Sequence, residues 1–140
     1  MSQRGSTLPL IAGALALTVA LVVGVVSATS LIIERHRLVA LAEATALRAA
    51  ESFDPARLRR GAEELIVPLD NARVNRAARE FLATTPAHAH TDLRLIRADT
   101  PDGRRARVIL QSTWQAPVWS QFLPVTIPIR AEASSRAVIR

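Results

Sequence analysis

Apolar positions fill the start of the chain, and two different periodicities follow them. Leu8 to Ile33 contains no Asp, Glu, Lys, Arg or His over 26 residues, and a helix needs only ~20 apolar residues to cross a bilayer. At ~1.5 Å per residue this run would extend ~39 Å, so it either tilts or its last turns leave the hydrocarbon. The pattern predicts a transmembrane helix over 8–33, after a cytoplasmic leader at 1–7.

The helical period continues beyond Ile33 with a narrower apolar face. One stripe recurs at three- and four-residue spacing: Leu38, Ala42, Thr45, Ala49 and Phe53. Four charged residues are predicted to lie away from that stripe: Glu34, Arg37, Glu43 and Arg48. Because no Gly or Pro intervenes between Val25 and Asp54, we expect one helix of about 45 residues from Pro9 through a continuation at 34–53, which Asp54-Pro55 ends. The stripe requires a partner surface.

Two shorter helices are predicted between the long helix and the next change of period. Residues 56–66 form a helix candidate that Gly61 weakens and Val67-Pro68 interrupts. A better amphipathic pattern covers 70–84, with Asp70 or Asn71 suited to the N-cap position.

From 92 to 140 the period becomes two, which is typical of strands. Residues 92–98 and 105–114 are strand candidates joined by Thr100-Pro101-Asp102-Gly103, which has turn chemistry. The last segment alternates most clearly, with one small, apolar side: Val125, Ile127, Ile129, Ala131, Ala133, Ser135, Ala137 and Ile139. We therefore expect an antiparallel sheet of three to four strands, covered on one face by the long helix. This is an α+β, pilin-like architecture.

Composition limits the function classes. The 107 residues beyond Ile33 are enough for one small domain, which we expect to be exported, over 34–140. All 18 basic residues are arginines, and they are interleaved with 12 acidic residues despite the net charge of +6, so the pattern does not favour nucleic-acid binding. The absence of cysteine excludes disulfides and thiolate metal sites.

Candidate catalytic chemistry is sparse. His88, His90 and Asp92 are close enough in sequence to suggest metal ligands, but no second ligand cluster supports them, and an ordinary surface loop is the favoured interpretation. No nucleophile elbow or phosphate-binding glycine loop is present. Trp114 and Trp119 are interpreted as packing residues. We expect no enzyme activity, no cofactor and no small-molecule substrate.

The apolar run also carries a stripe of small residues on adjoining helical turns: Ala12, Ala16, Ala20, Gly24 and Ala28. Small residues at this spacing let another membrane helix approach closely, although an alanine-rich helix also produces such stripes by chance. Signal-peptidase cleavage at Val26-Ser27-Ala28 is a competing interpretation of the N-terminus. The length of the run disfavours it.

These features resemble the TadE/TadG-like proteins of tight-adherence (Flp-type) pilus assembly, particularly their short actinobacterial relatives. The resemblance is carried by Arg4-Gly5-Ser6 before the apolar run, Arg35-His36-Arg37 after it, and the alanine-rich stretch 42–54 that ends at an Asp. The closing segment 125–140 is similar to the last strand of that family. About half of the chain takes part in the likeness.

The resemblance implies a processing site and a role. In related prepilins a peptidase cuts after a glycine, so cleavage after Gly5 would make Ser6 the first mature residue. Leu10 would then occupy the fifth mature position, where the family has a glutamate. This difference favours a minor pilin or pseudopilin over a major structural subunit. The implied partners are the lipid bilayer and other pilus-assembly membrane proteins or pilin-like subunits. The alternative function is an exported or membrane-anchored binding domain unrelated to pili.

Overall fold

The longest element in the computed structural model is α1, a helix of 44 residues from Thr7 to Ala50. The structure describes residues 7–57, 59–60, 65–66, 68–86, 90–118, 120 and 123–136. The predicted single long helix is confirmed, but it ends three residues before Phe53. Ser52 donates through both its backbone N–H and its hydroxyl to the Ala49 carbonyl, at 3.3 and 2.6 Å. These contacts tighten the last turn and end the helix ahead of Pro55.

The predicted helix over 56–66 is wrong. A single 3₁₀ turn, Pro55–Arg57, is followed by two short antiparallel strands, β1 (Arg59–Arg60) and β2 (Leu65–Ile66). The segment between Pro55 and Pro68 is too short for an isolated helix to be stable, and a central glycine weakens it further. Residues 61–64 lie outside the described part of the chain.

The second predicted helix is confirmed as α2, Asn71–Ala83. Asp70 has an extended backbone and its carboxylate accepts the Ala72 N–H at 3.4 Å, so it is the N-cap that the sequence indicated. At the other end the backbone N–H groups of Thr84 and Thr85 donate to the carbonyls of Phe81 and Leu82.

Three strands form the main sheet: β3 (Arg94–Asp99), β4 (Arg105–Gln115) and β5 (Thr126–Arg136). They are antiparallel in the order β3-β4-β5, which confirms the smaller of the predicted strand numbers. Gly103 has a φ of +69° in the β3–β4 turn, a left-handed conformation that glycine adopts without strain. Ala137 and Ile139 of the predicted alternation lie outside the described residues.

A bulge in β3 interrupts the predicted alternation. Leu95 pairs with Leu110, but the next paired residue, Arg97, is opposite Ile109, so Ile96 has no partner in the register. Leu95 and Ala98 therefore both face the helices although they are an odd number of positions apart, and Ile96 stays exposed.

The two helices form one layer and the sheet forms the other. α1 packs on β4 and β5, while α2 lies against α1 and covers β3. The α1 stripe was predicted correctly: Leu38, Ala42, Thr45 and Ala49 are buried, and Phe53 packs at the edge of the core. Ala131 and Ala133 of β5 are small enough for the helix to approach closely. The combination of long helix, short helix and antiparallel sheet is α+β.

Two predicted orientations need correction. Glu34 does not lie away from the packed side of α1: it is half-buried and its carboxylate contacts His90 at 2.7 Å. Val125 and Ile127 belong to the apolar side of β5 but remain exposed, because α1 covers only the part of that side that begins at Ile129.

Candidate functional site: the apolar helix and its junction with the domain

The first half of α1 is bare. Residues 7–22 are exposed around the whole circumference of the helix, including Leu10, Leu17 and Leu21. In the part of the chain that the structure describes, α1 is the one helix long and apolar enough to cross a membrane. A helix that is apolar on all sides lowers its free energy only by entering lipid or a protein core. Nothing among the described residues supplies such a core over 7–22.

The small-residue stripe begins within this bare region and continues past it to Ala28. Ala12, Ala16, Ala20, Gly24 and Ala28 are all exposed. A methyl group built on Gly24 would meet no heavy atom within 4 Å, so the surface is open there. Ala20 precedes buried Leu38 by about five helical turns and hence lies on the same side of α1 as the sheet. The predicted processing residues Gly5 and Ser6 lie outside the described residues.

Two side-chain hydrogen bonds join the end of the apolar run to the domain. The Trp114 indole Nε1–H donates to Ser30 Oγ at 3.2 Å. His90 Nδ1 and Glu34 Oε1 are hydrogen-bonded at 2.7 Å. The His90 and Glu34 side chains are 6% and 17% exposed, so water competes weakly for this contact.

A tight turn before β3 carries His90 to this position. The Thr91 carbonyl accepts both the Thr113 N–H at 2.9 Å and the Ser112 hydroxyl at 3.0 Å. Asp92 has a φ of +53°, a left-handed conformation that Asp tolerates better than most residues. The turn is thus bound to β4 on one side and to α1 on the other.

An open groove of about 600 Å³ lies beside the junction. Its helix wall combines apolar with polar and charged residues, and its strand wall is mainly polar; the lining residues include Val25, Val26, Thr29, Ile33, Arg37 and Gln115. Among the described residues that line the groove, Glu34 supplies a carboxylate and Arg37 a guanidinium group.

The suggested metal ligands are not brought together. His90 contacts Glu34, while Asp92 accepts from Arg94 Nε at 3.1 Å and is directed to the surface. His88 lies outside the described residues. Over the residues whose positions are described, no group of three or more His, Asp or Glu side chains is placed to hold a metal ion. Trp114 is buried in the core, as predicted; Trp119 is not described.

The outer face of the sheet, directed away from α1, carries a charged cluster at its far end. Arg107 donates through Nε and Nη2 to the two carboxylate oxygens of Asp99, at 2.9 and 2.7 Å. This pair lowers the pKa of Asp99 and raises that of Arg107. In the adjoining turn the backbone N–H groups of Arg104 and Arg105 lower the pKa of Asp102. These carboxylates stabilise the β3–β4 hairpin.

No protein-family model, curated protein or solved structure matches this chain. The resemblance to TadE/TadG-like proteins therefore remains a prediction from the sequence. Sequence reasoning missed the junction contacts, which join residues 84 and 56 positions apart. The local pattern around Ser30, Glu34 and His90 gives no signal for such pairs, although the absence of charge up to Ile33 indicated where a junction would lie.

Proposed function

We propose that this chain is a single-pass, membrane-anchored TadE/TadG-like protein that acts as a structural or assembly component of a tight-adherence pilus or related secretion apparatus. Its role would be that of a minor pilin or pseudopilin. The observation that carries the proposal is the continuity of α1: one helix is apolar and bare in its first half and forms the domain core in its second half. Because no flexible linker separates the two halves of such a helix, a partner that binds the half in the membrane also fixes the position of the domain.

The domain is proposed to lie outside the cytoplasm, with the leader inside. The short helix α2 and the sheet all follow α1 in the chain, so the domain lies on the C-terminal side of the apolar run. Arg35 and Arg37 after the run offset Arg4 before it, so charge alone does not set the orientation.

The pilin-like mode of assembly predicts contact between the stripe and another membrane helix. A photo-crosslinker attached at Ala20→Cys in the full chain, expressed in its native membrane, should give adducts with pilin-like subunits or pilus-assembly membrane proteins identified by mass spectrometry. Val22→Cys is the matched control, because it is equally bare and lies about 200° around the helix. Native cysteines do not interfere, since the chain has none.

The outcomes separate the candidate functions. Adducts with such partners from position 20 and not from position 22 support the assembly role. A protein that is inserted in the membrane but gives equal, non-specific adducts from both positions contradicts it and favours an anchored binding domain. The N-terminal residue of the mature protein provides an independent test, since prepilin-type processing predicts Ser6 and unprocessed chain predicts Met1.

A further inference from the structure

Four exposed aliphatic side chains lie together where β4 connects to β5. Val118, Leu123, Val125 and Ile127 are 40%, 60%, 44% and 41% exposed; we call them the apolar foot. The connection is closed at its base by the Ala116 N–H, which donates to the Val125 carbonyl at 3.2 Å. Several exposed aliphatic side chains at one end of a sheet are unfavourable in water and indicate a contact with another apolar phase or partner.

Half of the apolar foot belongs to the side of the sheet that faces α1. Along β5, Ile129, Ala131 and Ala133 point toward the helix and are buried. Val125 and Ile127 continue this alternation but are left uncovered. At the end of the sheet that begins β5, the core side therefore extends past the part of α1 that covers it.

That end of the sheet is the one beside the apolar run of α1. Ser112 contacts Thr91, next to His90, which contacts Glu34. Two residues further along β4, Trp114 contacts Ser30, about 6 Å closer to the start of α1. β4 thus runs toward the first half of α1. Ile127 pairs with Trp114 in the register, so along the helix axis it lies at the height of Ser30 or nearer to the start of α1.

No charged residue occurs in the β4–β5 connection or in the strand ends that flank it. Between Arg107 and Arg130 the sequence has 22 consecutive residues without Asp, Glu, Lys, Arg or His. By composition this run also includes Trp119, and tryptophan is a residue type that favours the membrane–water boundary. The first charged residue after the apolar run of α1 is Glu34. The foot and the apolar run beside it therefore both lack charged residues.

We propose that the apolar foot is a second membrane contact, inserted at the boundary between lipid headgroups and acyl chains beside α1. This inference rests on the membrane anchoring in the proposed function. The apolar foot contacts lipid. Its aliphatic side chains lie at the same height as the part of α1 that enters the bilayer, and they carry no charge that would require water. The foot fixes the tilt of the domain relative to the membrane plane, as a lone helix anchor would not.

The test uses the full chain in vesicles of phosphatidylcholine and phosphatidylglycerol, labelled at single introduced cysteines with an environment-sensitive fluorophore. Leu123→Cys reports on the foot, and Leu17→Cys reports on insertion of α1. Ser134→Cys is a near-isosteric control on the same strand, seven residues and about 24 Å beyond Ile127. Quenching by nitroxide-labelled lipids is compared with quenching by aqueous iodide for each label.

The proposal expects the Leu123 label to show blue-shifted emission and loss of intensity with shallow nitroxide lipids, while the Ser134 label responds to iodide alone. If the Leu123 label responds only to iodide while the Leu17 label is quenched by lipid, the proposed membrane contact of the foot is wrong and the insertion of α1 is supported. A Leu123 label shielded from both quenchers also overturns it, since the cover is then protein. If the Leu17 label itself escapes lipid quenching, the membrane anchoring fails as well.

Discussion

The two halves of α1 share one backbone geometry but have opposite surroundings. In the half from Leu38 to Ala50 the side toward the sheet consists mainly of alanines and is buried, while residues such as Glu43 and Arg48 face outward. In the half from Thr7 to Val22 large aliphatic residues point in every direction and none is covered. Distribution of side chains around the helix, and not helix propensity, decides which half joins the domain.

The covered half should respond most strongly to loss of volume. Leu38→Ala removes one of the largest fully buried side chains and is expected to lower the free energy of unfolding by about 2–5 kcal/mol. Leu47→Ala, on the same half but 48% exposed, should cost well below ~1 kcal/mol. Urea unfolding in detergent micelles, followed by tryptophan fluorescence, measures both. Equal losses for the two variants would contradict the assigned packing side.

The close approach of α1 to β5 should resist added volume. Ala42→Leu places three extra carbon atoms against the sheet at a fully buried position, and overpacking of this kind costs about 1–3 kcal/mol. Ala40→Leu makes the same change on the exposed side of the helix. It should leave the unfolding midpoint in urea almost unchanged; a midpoint for Ala42→Leu as high as that of Ala40→Leu would show that the helix and sheet are not closely packed.

The junction between the halves depends on one indole hydrogen bond. Ser30→Ala leaves the Trp114 N–H without its acceptor in a mostly buried site, and we expect a loss of about 1 kcal/mol. Ser134→Ala, at an exposed position, is the control. The same urea titrations apply, and a shift in the tryptophan emission maximum of the folded Ser30→Ala protein should accompany the loss. An unchanged emission maximum would be inconsistent with the contact.

The smallest effect is expected at the far end of the sheet and depends on pH. Because the folded pKa of Asp99 is lowered by Arg107, the pair stabilises the fold above the unfolded pKa of about 4. That contribution is lost as the pH falls through the folded pKa. Asp99→Asn should therefore be less stable than the wild type near neutral pH and lose less stability on acidification. Chemical unfolding at a series of pH values measures this difference.

A second variant controls for the loss of the side chain itself. Arg107→Gln removes the other partner of the same pair, and the double variant Asp99→Asn/Arg107→Gln should be no less stable than either single one. Additive losses in the double variant would show that the two residues do not act through each other.

Local patterns predicted the parts of the fold that have local causes. The apolar stripe of α1, the N-cap at Asp70 and the glycine turn before β4 each depend on residues within a few positions of one another. The predicted helix at 56–66 failed because its weak local preference was overridden between two prolines. The Ile96 bulge was not predictable from alternation, since the register of β4 determines where the extra residue lies.

The candidate site likewise has one part that the sequence predicts and one part that it does not. The apolar helix over 8–33 was predictable from composition alone. The contact of Glu34 with His90 was not, because it forms only after the sheet has brought a distant turn to the helix. Tertiary hydrogen bonds at such separation leave no periodic signal in the sequence.

The central claim is that the first half of α1 lies in a membrane while the second half lies in a domain outside it. The most direct test is labelling of intact cells by a membrane-impermeant maleimide, with the full chain carrying either Leu17→Cys or Glu43→Cys. The account predicts rapid labelling at Glu43, which is exposed on the domain half, and none at Leu17 until the membrane is dissolved in detergent. Equal labelling at both positions in intact cells would contradict it.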